Sequence, residues 1–408
     1  MTQSIKKGPT IRYGVIQAGF WMDYLIIGSF AAIFLGNRGF TTAETGMIIA
    51  AGALISCVLQ QISGSFVDKH DSIPLKYFVT LFIAVCFACM AILMILPHRF
   101  VSTAIFYVTA YSIQCALSPL VNSLCLQFTN NGYSINFGLS RSFGSFGYAA
   151  AALVMGNVTN MFGSEIILPI YVAIYGILLV VLFMFPVPVK DKSAKIVAGN
   201  ELIDRSQPCT MKEFISKYHR FLLLMVGFVF LWLENSMIGT YMIYFIKDLG
   251  GNSSDMGLAL SVMAFSEIPA VLFGNNIMSR IGAPRMLQIS ALGGILKAVL
   301  FFISPNVTFF VWCNVTHIFL SGFYQVSAIY YCYSIVGEKD IVKGQALLGV
   351  ATGGICAMLA SSIGGFLLEF MSHKMILALG IAVSILAAVV IFYAIDPNHF
   401  KNEEIRRI

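Results

Sequence analysis

The sequence predicts an all-α membrane protein whose twelve transmembrane helices form two pseudo-symmetric six-helix bundles. Three observations predict it. Of 408 residues, 58% are hydrophobic and only 11% charged, against about 25% charged in soluble domains, so the polar surface of a water-soluble protein is missing. The apolar residues come in continuous runs of helical length, as a hydrocarbon core about 30 Å thick requires, rather than in the short alternating strands of a membrane barrel. A charged stretch near the middle divides these runs into six and six. The same composition excludes a disordered chain, a disulfide scaffold and a nucleic-acid binder. The net charge is +6, but the 25 Lys and Arg are dispersed.

Taken in order, the spans are expected at 12–36, 44–66, 75–96, 99–126, 135–161, 164–186, 219–246, 254–278, 285–304, 307–334, 344–368 and 373–395. The basic start, Lys6, Lys7 and Arg12, leads into a run too long for a signal-peptide core and without a small-residue cleavage site, so the first run reads as a span. Span 6 ends at Pro186 and Pro188, after which eleven of the 44 charges fall before residue 221. This gives an N-terminal bundle over 1–186, a cytoplasmic linker over 187–218 and a C-terminal bundle with its tail over 219–408. Cys209–Tyr218 in that linker has the pattern of a short surface helix. With both termini inside, nineteen Lys and Arg lie in cytoplasmic segments and four, Arg38, Arg99, Lys247 and Lys374, in external loops. That bias places the termini in the cytoplasm of a cell whose plasma membrane the chain crosses. Eight of the nine Cys fall in spans, and Cys86-x-x-Cys89 reads as packing rather than metal or redox chemistry.

Charges inside the spans point to function. Asp23, Arg141, Glu234, Glu267, Lys297 and His317 lie in spans 1, 5, 7, 8, 9 and 10. A charge at mid-bilayer costs about 2.5–3.5 kcal/mol on insertion scales, so such residues turn to a shared polar interior. Helical spacing agrees. Asn314, His317, Ser321 and Tyr324 share a face of span 10, and Arg141, Ser145 and Tyr148 share one of span 5. Span 4 offers Tyr111, Gln114, Ser118 and Asn122, span 2 Ser56, Gln60 and Ser63, and span 7 Glu234 with Tyr241. Interhelical hydrogen-bond glue, worth about 0.6 kcal/mol per contact, accounts for single Ser or Gln residues but not for six ionisable ones.

Gly64-Ser-Phe-Val-Asp68-Lys69 after span 2 has a weak echo after span 8, in Gly274 through Arg280-Ile-Gly282, as duplicated halves would show. With the six-plus-six layout, this turn resembles the gating turn of the major facilitator superfamily, which implies a gating role for Gly64, Asp68 and Lys69. The second copy lacks the acidic residue, having Met278. Gly138-Leu-Ser-Arg141-Ser-Phe-Gly144-Ser-Phe-Gly-Tyr148 is similar to span 5 of the lactose-permease-like oligosaccharide:proton symporters. There the Arg grips a substrate hydroxyl and an aromatic residue stacks on the sugar, with Tyr148 standing in place of the family's Trp. Glu267 falls on the family's essential carboxylate, Lys297 on a family Arg, His317 on its span-10 His, and Glu234 near its span-7 acids. Two family carboxylates are absent, with Ser123 and Leu320 in their places, and Asp23 has no counterpart.

The resemblance implies a secondary transporter, not an enzyme, that imports a small hydroxylated solute such as a sugar, oligosaccharide or glycoside with protons. Arg141, Tyr148, Gln114, Glu267, His317, Asn314 and Tyr241 are the expected substrate-binding residues. Glu267, Asp23, His317, Lys297 and Glu234 are those expected to couple protons, with Glu267 or Asp23 as carrier. Three acids against two bases leave one negative charge, which one proton neutralises. Neither cofactor nor metal is expected; the proton gradient supplies the energy, and the partners are solute, protons and lipid, with the chain as a monomer. A proton antiporter exporting a drug or metabolite shares the fold and the buried acids, although span 5 lacks the proline of its typical motif. A sodium-coupled symporter and a non-transporting sensor also fit the fold. An intramembrane enzyme would need a His-Glu-x-x-His motif or paired intramembrane histidines, and the sequence has neither.

Overall fold

The computed structural model describes residues 6–69, 73–129, 131, 133–188, 210–337 and 340–395, without the side chains of Lys6, Lys7, Asp68, Val271 and Val342. Residues 189–209 of the expected linker and the tail beyond 395 lie outside the described residues.

Each expected span is a helix or a continuous helical rod. Span 1 is Thr10–Ser29 followed, after a 50° bend at Phe30, by Ala31–Asn37. Spans 2 to 4 are Thr42–Lys69, Leu75–Ile95 and Phe100–Thr129. Span 5 is Phe137–Phe162, and span 6 runs from Ser164–Ile166 into Ile167–Phe183. The second half holds His219–Asp248, Ser253–Ile281, Ala283–Phe302 and His373–Ala394 as spans 7, 8, 9 and 12. Span 8 bends by 53° beside Pro269, whose missing N–H removes one rung of the helix. A short helix, Met211–Lys217, precedes span 7, with a capping box from Thr210 and Glu213. Among the described residues one feature departs from an all-helical chain: Lys6–Lys7 pairs in parallel with Tyr133–Ser134.

Spans 10 and 11 are helical but irregular. Span 10 passes from Val307–Cys313 through a tight turn and a π-helical stretch, Ile318–Gly322, into Phe323–Ile335. Span 11 has a second π-helical stretch, Val350–Ile355, between Ile341–Gly349 and Cys356–Phe370. Such widened turns misalign the backbone ladder and gather at functional sites. In span 10 a neighbour answers the Leu320 carbonyl, to which the Ser290 hydroxyl of span 9 donates at 2.6 Å. Ser290→Ala is expected to lower stability by about 1 kcal/mol, read as a lower unfolding temperature of the purified protein.

Nine of the described helices are long and apolar enough to cross a bilayer alone, and two bent pairs qualify as units. Span 5 falls short despite its 26 residues, because Ser140, Arg141, Ser142, Ser145, Asn157 and Thr159 dilute it. It is sheltered instead by packing between span 1 of its own half and span 8 of the other.

Spans 1 to 6 pack together, with span 1 against 5 and 6 and span 4 against 2 and 3. In the second half span 12 packs on 7 and 9, and span 10 on 8 and 9. The halves meet chiefly through two helix pairs, span 5 with span 8 and span 2 with span 11, with a lighter contact of span 1 on span 7. These joints close at the end opposite the chain termini. Thr42 Oγ1 donates to the Gly365 carbonyl at 2.8 Å, Ala43 N to Glu369 Oε1 at 3.0 Å, and the Tyr241 hydroxyl to the Thr42 carbonyl at 3.3 Å. Gly156 and Gly257 let spans 5 and 8 touch backbone to backbone, since a Cβ built on either would lie 2.8 Å from the Cα of the other.

Candidate functional site

Between the halves lies a cavity of about 470 Å³. The seam described above seals one end, so the part-exposed side chain of Glu267 and the exposed Gln325 at its base reach solvent toward the terminal end.

Span 1 supplies Trp21 and Tyr24 to the wall, and span 5 supplies Arg141 and Tyr148. The Arg141 guanidinium lies over the Trp21 ring, 4.3 Å from its centroid, and donates to Ser145 Oγ at 3.3 Å. Stacking of this kind holds the planar group in place while leaving its other donors free. Gly144 makes the stack possible, because a Cβ there would come within 2.6 Å of Trp21 Cδ1. Tyr148 sits one helical step further along, its hydroxyl 3.5 Å from Ser29 Oγ. These two span-5 residues share one wall, as their spacing predicts.

The facing wall holds a charged chain. Lys297 Nζ lies 3.1 Å from His317 Nδ1, and His317 Nε2 lies 3.0 Å from Glu267 Oε1. An ammonium has donors and no acceptor, so Nδ1 accepts and the imidazole proton sits on Nε2, donated to Glu267. Lys297 also donates to Asn235 Oδ1 at 2.8 Å. The second oxygen of Glu267 accepts from Gln325 Nε2 at 3.1 Å, and Gln325 is steadied by Ser321 Oγ at 2.9 Å. Glu267, His317, Ser321 and Gln325 line the cavity, while Lys297 stands behind His317, 1% exposed. Lys297 is therefore linked to Glu267 through the imidazole. The π-helical stretch begins at the next residue, Ile318, and carries Ser321.

Several expected site residues lie elsewhere. Gln114 is fully buried inside the first bundle, where its amide donates to the Phe20 carbonyl at 3.2 Å and accepts from the hydroxyls of Tyr171 and Tyr175. A buried amide needs several partners at once, and the bundle interior supplies them. Its stripe neighbour Tyr111 does line the cavity. Asn314 is also fully buried, donating to the Phe310 and Val311 carbonyls of its own span. Tyr241 belongs to the closed seam, its single hydroxyl proton shared between the Ser361 carbonyl at 2.8 Å and the more distant Thr42 carbonyl. There span 7 leaves helical geometry, with φ −110° and ψ 19° at Tyr241.

Two of the acids are likewise off the cavity. Asp23 is 0% exposed, and neither carboxyl oxygen has a hydrogen-bond partner. Span 1 turns Trp21 and Tyr24 to the cavity and Asp23 into its own bundle. Glu234 is buried against Gly380 of span 12, with Oε1 unpartnered. Of the expected gating residues, Gly64 has nothing within 4 Å of a Cβ built on it, and Lys69 is exposed at the end of span 2. The Asp68 side chain lies outside the described residues. Among the described residues no His, Cys, Asp and Glu cluster could hold a metal ion.

Trp21, Tyr24, Trp232, Asn235 and Gln325 are cavity residues that the sequence reading passed over. Their signals were present. Trp21, Tyr24 and Gly28 follow a helical step, as do Trp232, Asn235, Ser236 and Gly239, and two of only three Trp in the chain are among them.

The sequence and the fold have counterparts among known transporters. The chain is 23% identical over 343 residues to the uncharacterized transporter YwbF of Bacillus subtilis (strain 168), covering 81% of this chain and 79% of the relative. It is 23% identical over 375 residues to the maltose permease of Geobacillus stearothermophilus, covering 90% and 91%. A crystal structure of a mutant nucleoside transporter NupG superposes with a TM-score of 0.78 at 14% identity, covering 94% of this chain and 98% of that one. The MFS_1 like profile matches residues 23–379, which contain the central cavity apart from Trp21, both seam joints and the Lys297–His317–Glu267 chain. The chain belongs to the MFS_1 like family of the major facilitator transporters.

Proposed function

We propose that the protein imports a small hydroxylated solute, a sugar, oligosaccharide or glycoside, together with a proton across the cytoplasmic membrane. The observation that carries this is the ionic chain Lys297–His317–Glu267, which ends on a cavity facing Arg141 stacked on Trp21. Rings of Trp21, Tyr24 and Tyr148 suit the apolar faces of a sugar, and Arg141, Asn235 and Gln325 suit its hydroxyls. The relatives favour the same class: one is named a maltose permease and the structural neighbour a nucleoside transporter, and both solutes carry hydroxylated rings.

Glu267 is the group through which proton and solute communicate. It shares the cavity with Arg141, and its charge is tied through His317 to Lys297 on span 9. Protonating it removes the charge that this chain answers, so solute bound between the two walls and a proton on Glu267 favour the same rearrangement. The halves then rock about the cavity, exchanging the closed seam for an opening on that face. Asp23 and Glu234, away from the cavity, keep roles within their bundles. The excess of Lys and Arg in alternate loops supports cytoplasmic termini. Arrangement as a monomer, driven by the proton gradient without a cofactor, completes the reading.

The test is pH recording in a weakly buffered suspension of cells expressing the protein, with sugars, glycosides and nucleosides added in turn. Transient alkalinisation of the medium by one compound supports proton symport and names its substrate. Acidification instead identifies export by antiport, and silence across the panel sinks the sugar-importer reading. Once a substrate is found, Arg141→Lys is expected to raise its half-saturating concentration about tenfold or more. The point charge survives, but the planar stack on Trp21 and the paired donors are lost, about 1–2 kcal/mol of binding.

A further inference from the structure

Span 1 carries a polar line that ends on the cavity. Tyr13, Gln17 and Trp21 fall four residues apart, on one face of the helix. Tyr13 and Gln17 are 0% exposed and lie off the cavity, whereas Trp21 lines it.

Both amide hydrogens of Gln17 are taken. Its nitrogen donates to the Tyr13 hydroxyl at 2.7 Å and to Asn122 Oδ1 of span 4 at 3.1 Å. The Tyr13 hydroxyl passes its own proton to the Val121 carbonyl at 3.2 Å. On the other side, Trp21 Nε1 donates to Gln17 Oε1 at 3.1 Å. An indole nitrogen only donates, so the amide has one sense, oxygen toward Trp21 and nitrogen toward Tyr13 and Asn122. Asn122 belongs to the polar stripe of span 4, yet it holds Gln17 instead of lining the cavity.

The attitude of the indole matters because of what lies on it. The Arg141 guanidinium sits over the ring, 4.3 Å from its centroid. The face of an aromatic ring is negative and attracts a cation, while its edge is positive and repels one. A tryptophan turning about its outer torsion, which has broad minima, would offer Arg141 face and edge by turns. The bond to Gln17 pins the nitrogen edge away from the guanidinium. Among the described residues Arg141 donates only to Ser145 Oγ, at 3.3 Å, so the stack is its main restraint.

We propose that Gln17 is a positioning residue of the solute site: it locks the Trp21 indole face-on beneath Arg141 and so sets where the guanidinium meets the solute. This rests on the reading of Arg141 as a solute-binding group, and it places a determinant of affinity one layer behind the cavity. Gln17 touches neither the cavity nor the Lys297–His317–Glu267 chain. It therefore governs how tightly the solute is held, not the proton step.

The first test needs no solute. Trp232→Phe with Trp312→Phe leaves Trp21 as the sole tryptophan of the full-length protein, and its time-resolved fluorescence anisotropy reads ring motion on the nanosecond scale. Gln17→Met, of similar length but without the amide, is expected to lower the residual anisotropy; an unchanged value overturns the proposal. The second test measures uptake, with all three tryptophans present, of the compound that the pH recording selects. Gln17→Met should raise its half-saturating concentration about fivefold and leave the maximal rate unchanged. In Trp21→Phe, which has no N–H to hold, adding Gln17→Met should raise it no further. The unfolding temperature should still fall in that pair, through the lost bonds to Tyr13 and Asn122. An equal rise in both backgrounds, or a lower maximal rate at unchanged half-saturation, would make Gln17 merely structural and overturn the proposal. If Gln17→Met does not fold, Tyr13→Phe decides, because it removes one hydroxyl that orients the amide. A smaller loss of anisotropy and a rise of about twofold are then expected, and no change in either overturns the proposal. If no compound is selected, the import reading fails, while anisotropy still decides whether Gln17 holds the ring.

Discussion

Glu267→Gln is expected to abolish uphill accumulation while leaving the solute able to bind and to run down its own gradient. A proton crossing 100 mV supplies about 2.3 kcal/mol, enough to hold a solute at roughly 50-fold excess, since each 1.4 kcal/mol is tenfold. The variant should fall to equal concentrations on the two sides, because a side chain with no titratable carboxyl carries no proton. The amide keeps the shape of the site, with its oxygen able to accept from His317 Nε2 as the carboxylate does at 3.0 Å. Counterflow, in which labelled solute exchanges with unlabelled, should therefore continue. Radiolabel uptake in energised vesicles measures the first quantity and exchange in de-energised ones the second. Accumulation that survives in the variant would exclude Glu267 as carrier and return attention to Asp23.

The second large effect is steric. Gly156→Trp should prevent the far seam from closing and stop net transport altogether. A Cβ at Gly156 would already lie 2.6 Å from the Ser253 carbonyl oxygen and 2.8 Å from Gly257 Cα. Those atoms belong to helix backbone and cannot step aside as a flexible side chain would. Spans 5 and 8 must then part at this end, which opens the central cavity to the far face. A Gly239→Cys reporter in the cavity wall, where a built Cβ meets nothing within 4 Å, makes this measurable with a membrane-impermeant thiol reagent. Labelling from the far face should rise about tenfold or more when Gly156→Trp is added. Unchanged labelling would mean that this glycine contact does not hold the seam.

The large-scale plan was legible because it rests on quantities that add up along a helix. Twenty apolar residues announce a span wherever they occur, and all twelve were placed within a few residues of their ends. The meeting of Glu267, Lys297 and His317 was legible too, since three ionisable groups in consecutive spans have few places to go but toward each other. Their order was not. Helical spacing says which residues share a face of one helix, not which of two neighbours will stand between two others, and His317 took that place. Gln114 and Asn314 went astray for a related reason. A polar residue leaves the lipid either for a wet cavity or for partners inside its own bundle, and the sequence shows only the leaving. Trp21 and Tyr24 were missed because aromatic residues are at home on any buried face. Only the cation laid on Trp21 sets that ring apart, and it comes from another span.

Span 5 has a consequence for how the molecule is made. Its polarity weakens its own grip on the bilayer, yet it carries Arg141 and half of the far seam. During synthesis it emerges when span 1 is already present to cover one side, while span 8, which covers the other, is still to be translated. Through that interval the helix that holds the solute's arginine depends on the rest of its bundle, or on the insertion machinery, to stay in place. Biogenesis is thus most vulnerable at the element on which transport relies, and variants that loosen span 1 against span 5 should show first as lost protein in the membrane.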